Sequence, residues 1–321
     1  MNSASFFEPV TVGLALVEER LRRRPEHQHE ALTGAIDHLL TSGGKRLRPA
    51  LALLVGGVLG AELDQNVSLA AAVEMLHTAT LVHDDLIDES LLRRGNPTLN
   101  ARWSPAATVL AGDYIFARAA DLPASTDSVR VMSIFARTLM TLVNGEVRQL
   151  LDGRGTPSRE DYFRRIYAKT ASMFELATEA AAVLGQAGEE VGARMAAYGR
   201  EIGTAFQIVD DVLDFAGDQQ QVGKPVGSDL RLGLVTLPTL YFMESHPDHA
   251  GLQAVLNGRG NEAGLVEEVV TAIRDSGAIN AALFEARQHV ERGRAALANL
   301  PEHPMSLALE ELAEFVLRRD L

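Results

Sequence analysis

Two stretches of the chain read alike: Leu81-Val82-His83-Asp84-Asp85-Leu86-Ile87-Asp88 and Phe206-Gln207-Ile208-Val209-Asp210-Asp211-Val212-Leu213-Asp214. In each, an aspartate pair is followed by a third aspartate, so that the first and last stand four residues apart. On a helix that spacing puts both carboxylates on one face, about 6 Å apart along the axis. Like charges so placed destabilise a helix by roughly 0.2–0.5 kcal/mol. The flanking residues are apolar, and a carboxylate held away from water without a partner is costly. A hard divalent ion supplies the compensation. Mg²⁺ takes few protein carboxylates and fills its octahedron with water and substrate phosphate, so two such pairs would clamp a diphosphate. The echo is too short for a structural repeat and reads as two sites with one job.

Working outward, periodicity near 3.6 residues recurs almost throughout, and no run of alternating β-branched residues between turns predicts a strand. Helices are predicted near residues 9–24, 28–41, 48–60, 66–92, 103–121, 127–151, 159–185, 189–216, 232–245, 249–256, 262–275, 278–298 and 305–319. Glycine and proline mark loops at Ser42–Gly44, Arg93–Pro97, Asp152–Pro157 and Asp218–Gly227. With no long linker, residues 1–321 read as one all-α domain, a helical bundle whose parallel helices wall a central cavity.

The composition narrows the chemistry. There is no cysteine, which excludes thiolate metal sites and thiol catalysis and fits a reducing, cytoplasmic location. The first twenty residues show no basic leader followed by an apolar run, and the stretch Pro49–Ala61 is too short to span a bilayer. A net charge of −13 argues against a nucleic-acid surface. It does not exclude an anionic substrate, because carboxylates that gather Mg²⁺ make a locally positive site. Of 30 basic residues only Lys45, Lys169 and Lys224 are lysine, and each lies in a segment that looks ligand-binding on other grounds.

The basic segments surround the acidic ones. Gly43-Gly44-Lys45-Arg46-Leu47-Arg48-Pro49 is a glycine turn delivering three cations at the mouth of a helix, where backbone amides add to phosphate binding. His77 precedes Asp84 by two turns and shares nearly the same face. Arg93-Arg94-Gly95 follows the first aspartate helix with guanidinium forks suited to diphosphate.

These segments resemble the trans-isoprenyl diphosphate synthases. The likeness rests on Gly43–Pro49, the run Glu74–Ser90 and Arg93-Arg94-Gly95, then on Gly112-Asp113-Tyr114, Gly145-Glu146 with Gln149, and Lys169-Thr170. It continues through Phe206–Asp211, Gly223-Lys224-Pro225 and Gly227–Leu230. The resemblance implies an isoprenoid-synthase fold, a homodimer, and Mg²⁺-dependent condensation of isopentenyl diphosphate with an allylic prenyl diphosphate. It further implies that Asp84, Asp88 and Asp210 hold the metal, while Asp85, Asp211 and Asp214 support them through contacts of their own. Lys45, Arg48, His77 and Arg94 would hold isopentenyl diphosphate. Arg93, Lys169, Gln207 and Lys224 would hold the allylic diphosphate, with Thr170 nearby. One position departs: where the family has a lysine, this chain has Leu234, and Arg231 is the candidate to take over its contact.

The resemblance also bears on product length, since bulky residues at the fourth and fifth positions before the first aspartate close the family's tunnel. Here those positions are Thr80 and Ala79, with Leu76 a further turn away and none aromatic. The expectation is a product longer than geranylgeranyl diphosphate, in the hexaprenyl to decaprenyl range. Phe135, with Met132 and Leu139, is the candidate floor. The alternatives are a shorter-chain synthase, a terpene cyclase and a regulatory subunit of a heteromeric synthase. Cations for a second substrate disfavour the cyclase, and six intact aspartates disfavour a subunit without chemistry.

Overall fold

Helices begin where the sequence supplies caps and proline. Ser104 accepts a hydrogen bond from the Ala107 amide in front of Pro105, and Ser158 forms a reciprocal capping box with Asp161. The structure is a computed structural model describing residues 5–26, 28–93, 95–151, 158–216, 226–260 and 262–318. Arg94 and Lys224 lie outside the described residues.

After a 3₁₀ turn at Ser5–Val10 come α1 (Thr11–Arg22), α2 (Glu30–Thr41), α3 (Leu47–Val58) and α4 (Leu63–Ile87). A two-stranded antiparallel pair, β1 (Leu92–Arg93) and β2 (Asn96–Pro97), precedes α5 (Pro105–Ala124), α6 (Val129–Leu151), α7 (Arg159–Ile166), α8 (Ser172–Leu184) and α9 (Glu189–Ala216). The remaining described helices are α10 (Ser228–Arg231), α11 (Leu237–Ser245), α12 (Ala250–Ala254), α13 (Leu265–Asp275), α14 (Ala278–Ala296) and α15 (Pro304–Arg318).

The described residues are helical as the periodicity predicts, with three corrections besides the helix expected from residue 232, which starts at Leu237. The helix expected to reach residue 92 stops at Ile87. Glu89 turns left-handed at φ 52° and the Ser90 amide returns to the Asp85 carbonyl at 2.9 Å, a helix stop made without glycine. The segment expected as loop then forms the β1–β2 pair. Third, the helix expected over 159–185 is interrupted by a π turn, Tyr167–Ala171, which carries Lys169 and Thr170.

The chain forms two compact units. One comprises Met1–Leu139, Met173–Gly199 and Leu297–Glu311. Its centre is α4, buried on nearly every face from Asn66 to Leu76 and packed against α1, α3 and α5. The small side chains Ala70, Ala71 and Ala72 keep its neighbours close. The other unit comprises Met140–Ser172, Arg200–Ala296 and Leu312–Leu321. Its core joins Tyr162 and Ile166 of α7 to Val209 and Val212 of α9, with Leu237 and Leu240 of α11 and Ala282 and Ala286 of α14. A second cluster collects Phe215, Leu230, Phe242, Leu252, Val266 and Ile273. Each unit carries one aspartate motif at or near the C-terminal end of a long helix, α4 in the first and α9 in the second. Among the described residues, no helix is long and apolar enough to cross a membrane.

Candidate active site

In the first unit, helical geometry sorts the aspartates of α4 by exposure. Asp85 is buried, whereas Asp84 keeps accessible surface and Asp88 is exposed. Arg93, set by β1, reaches back to Asp85: its Nε and a terminal nitrogen approach Oδ1 at 2.9 and 2.8 Å. A charged pair at this depth offsets the cost of burying the carboxylate. The guanidinium predicted to hold substrate is therefore engaged with Asp85 in this structure. Gly112 of α5 serves the same helix end. A Cβ built there would stand 2.1 Å from Nε2 of His83, so glycine lets the imidazole preceding Asp84 lie against α5.

The loop before α3 presents Lys45 to solvent, while the Arg48 guanidinium lies 5.0 Å from the centre of the Phe174 ring. Arg46, read from sequence as a third cation for the anion, faces the other way. It contacts Glu18 of α1 at 2.5 Å and the buried Glu74 of α4 at 2.6 Å. Burial pulls its proton affinity down, and Glu74 and Glu18 more than offset that, holding it above the ordinary arginine value. His77 is half-buried one turn from Glu74.

In the second unit, Asp211 is 5% exposed and both its oxygens accept hydrogen bonds. Gln207 Nε2 donates to Oδ1 at 2.8 Å and the Tyr162 hydroxyl to Oδ2 at 2.8 Å. The Thr170 hydroxyl donates to Gln207 Oε1 at 2.7 Å, so two residues expected at the allylic diphosphate belong to one network with Asp211. Burial pushes the Asp211 carboxyl up to about 7, against which the Gln207 and Tyr162 hydrogen bonds work. Burial, then the Asp211 charge, pushes the Tyr162 hydroxyl well above its ordinary value. Tyr162 was not legible as a site residue, being 49 positions from Asp211 with no motif of its own.

Asp214 caps α10: Oδ1 accepts from the Ser228 amide and hydroxyl at 3.1 and 2.6 Å, and Oδ2 from the Asp229 amide at 3.1 Å. Asp210, the first aspartate of this motif, is half-buried. Lys169 meets Glu146 of α6 at 3.0 Å. Gly145 makes that approach possible, since a Cβ there would fall 2.6 Å from the Cβ of Ala168. The guanidinium of Arg231, the candidate to take over the contact of the lysine absent at Leu234, pairs with Glu267 in this structure.

Of the candidate chain-length residues, Leu76 and Ala79 are wholly buried and Phe135 is 2% exposed. Thr80 keeps accessible surface one turn from Asp84, its hydroxyl donating to the His77 carbonyl at 2.8 Å.

Carboxylate oxygens with access to solvent fit a hard divalent cation, and each unit offers them: Asp84 and Asp88 in the first, Asp210 in the second. Among the described residues no three histidine, aspartate or glutamate side chains gather around one point.

The family model for polyprenyl synthetases matches residues 29–273, which include both aspartate motifs. The chain belongs to the polyprenyl synthetase family. It is 38% identical over 285 residues to the octaprenyl diphosphate synthase of Escherichia coli, covering 88% of each chain. It is 36% identical over 321 residues, the full length of both, to heptaprenyl diphosphate synthase component 2 of Geobacillus stearothermophilus. Among solved structures, it is similar to a polyprenyl synthase of Caulobacter crescentus complexed with calcium and isoprenyl diphosphate. The TM-score is 0.92 at 35% identity, over 100% of this chain and 98% of that one. The predicted all-α, isoprenoid-synthase type of fold is thereby confirmed for this polyprenyl synthetase.

Proposed function

We propose that this polyprenyl synthetase condenses isopentenyl diphosphate head to tail with an allylic prenyl diphosphate, releasing a product longer than geranylgeranyl diphosphate, with residues 1–321 acting as one prenyltransferase domain. The observation that carries the reading is the division of labour inside each motif. Asp85 and Asp211 are buried and held by protein donors, while Asp84, Asp88 and Asp210 keep their access to solvent. The long-chain names of its relatives support the product class.

Asp84, Asp88 and Asp210 would hold Mg²⁺, which when bound neutralises the departing diphosphate. Lys169, with Lys224, would balance the negative charge that grows on the leaving group as the allylic carbon–oxygen bond breaks. Thr170 and Gln207 would orient that diphosphate through the network anchored on Asp211. Lys45, Arg48 and His77, with Arg94, would hold isopentenyl diphosphate so that its double bond attacks the allylic carbon. Positioning, together with electrostatic stabilisation of the leaving group, would be the protein's main contribution, and the released diphosphate would be the base for the final proton. Leu234 leaves the allylic side one cation poorer than the family pattern.

A homodimer belongs to the same proposal. On α6, Met140, Val143, Val147 and Leu150 are exposed and repeat at three- and four-residue spacing, an apolar stripe suited to a second copy. Cytoplasmic residence completes the reading, and cell fractionation checks it. The similarity to a component 2 protein favours a second reading, in which the apolar stripe meets a different subunit.

The test is to incubate the purified chain with Mg²⁺, isopentenyl diphosphate and farnesyl or geranylgeranyl diphosphate, resolve products by chain length, and measure its mass in solution. Long products from a species of twice the chain mass support the proposal. Short products refute the length assignment, and activity confined to mixtures with another subunit supports the second reading.

A further inference from the structure

Arg46 stands between Lys45 and Arg48, yet its guanidinium turns into the protein and ties three elements together. Nε donates to Glu18 Oε1 of α1 at 2.5 Å, one terminal nitrogen to Glu74 Oε1 of α4 at 2.6 Å, and the other to the Leu40 carbonyl at the end of α2 at 3.2 Å. Its backbone is left-handed, with φ 51° and ψ 30°, at the position just before α3. A side-chain-bearing residue holds that conformation at an energetic cost, and keeps it where the surroundings over-determine it. Glu74 is 5% exposed, and the guanidinium is the partner that offsets the cost of burying its carboxylate. It also lies three residues before His77, on the same side of α4.

We propose that Arg46 is a positioning residue of the isopentenyl diphosphate site: by fastening residues 42–46 to α1, α2 and α4, it fixes where the Lys45 ammonium and the Arg48 guanidinium meet the diphosphate. The proposal rests on the reading that Lys45 and Arg48 hold that substrate. The planar fork is essential to it. A lysine ammonium at position 46 is a point charge that cannot serve two carboxylates and a carbonyl in these directions. With fewer ties the strained backbone relaxes, and both neighbouring cations move with it.

The experiment compares steady-state constants for Arg46→Lys, Glu74→Gln and Lys45→Ala with those of the unaltered protein, alongside thermal unfolding. Misplacing two binding cations by a fraction of an ångström is expected to raise the KM for isopentenyl diphosphate about tenfold in Arg46→Lys, with kcat and the allylic KM within about twofold. Glu74→Gln keeps the shape but loses the charge, so it moves the same constant in the same direction by less. A purely structural role would lower the melting temperature and the active fraction while leaving that KM unchanged, and would overturn the proposal. Lys45→Ala separates the two ideas. If it raises the isopentenyl diphosphate KM while Arg46→Lys and Glu74→Gln do not, the positioning role is refuted and the site stands. If Lys45→Ala leaves that KM unchanged, the site reading fails and takes the proposal with it. Should Arg46→Lys fail to fold, Glu18→Gln, at the more exposed end of the same network, replaces it with the same expected direction.

Discussion

Tyr162→Phe removes one hydroxyl and leaves the aromatic packing of α7 against α9 in place. The Tyr162 hydroxyl supplies Asp211 Oδ2 at 2.8 Å, Gln207 supplies Oδ1 at 2.8 Å, and both Tyr162 and Asp211 are buried. A hydrogen bond to an ionised group is worth about 1.5–3 kcal/mol, and a neutral one about 1 kcal/mol. With the Asp211 carboxyl at about 7, the full loss is expected at pH 8 and the smaller one at pH 5. The assay is urea unfolding of the metal-free protein in EDTA at both pH values. The variant is expected to lose about 2 kcal/mol at pH 8 and roughly half of that at pH 5. The half-saturating Mg²⁺ concentration of the reaction should rise as well, because Asp210 borders a carboxylate that is no longer held on both oxygens. A loss under about 0.5 kcal/mol at both pH values, with an unchanged Mg²⁺ response, would refute the assignment of Tyr162 as an anchor of this motif.

Three further outcomes follow from the same geometry. In EDTA, Asp211→Asn should be more stable than the unaltered chain at alkaline pH. The folded carboxyl is raised from 3.8 to about 7, so its contribution is present below pH 4 and lost as pH rises through 7, whereas asparagine has no proton to lose. The gap should grow by about 1.4 kcal/mol per pH unit in that window, and parallel stability curves would contradict it. Gly112→Ala places a methyl 2.1 Å from the His83 ring nitrogen, so a stability loss of about 1–3 kcal/mol and a weaker Mg²⁺ response are expected from calorimetry and kinetics. Thr80→Phe should shorten the product, because Thr80 has accessible surface one turn from Asp84. Ala79→Phe, at a wholly buried position, should cost stability by overpacking instead, and chromatography of the products together with unfolding curves separates the two.

Most helices were legible because long amphipathic segments carry their own period, as in α9, whose predicted limits coincide with Glu189–Ala216. The end of α4 was not, because the residue that stops it is Glu89 in a left-handed conformation that glycine normally signals. The π turn at Tyr167–Ala171 leaves the apolar pattern of 159–185 intact and so hides inside it. At the site, the aspartates could be read from spacing alone, since i and i+4 carboxylates on apolar helices call for a cation. What could not be read is which basic residues are already engaged. Arg46, Arg93 and Arg231 look interchangeable with other surface arginines until Glu74, Asp85 and Glu267 are seen opposite them. Such pairings join positions 8, 28 and 36 residues apart that belong to different elements, and neither periodicity nor local motif encodes them.

The most direct measurement is made on the purified chain alone, given isopentenyl diphosphate and farnesyl diphosphate, with elongated product and released diphosphate counted together in Mg²⁺ and in EDTA. One diphosphate per added isopentenyl unit in Mg²⁺, none in EDTA, and loss of both signals in Asp84→Ala and Asp210→Ala is the predicted result. Product formation that survives the loss of either aspartate, or an unaltered chain silent in Mg²⁺ with every primer, would contradict the account.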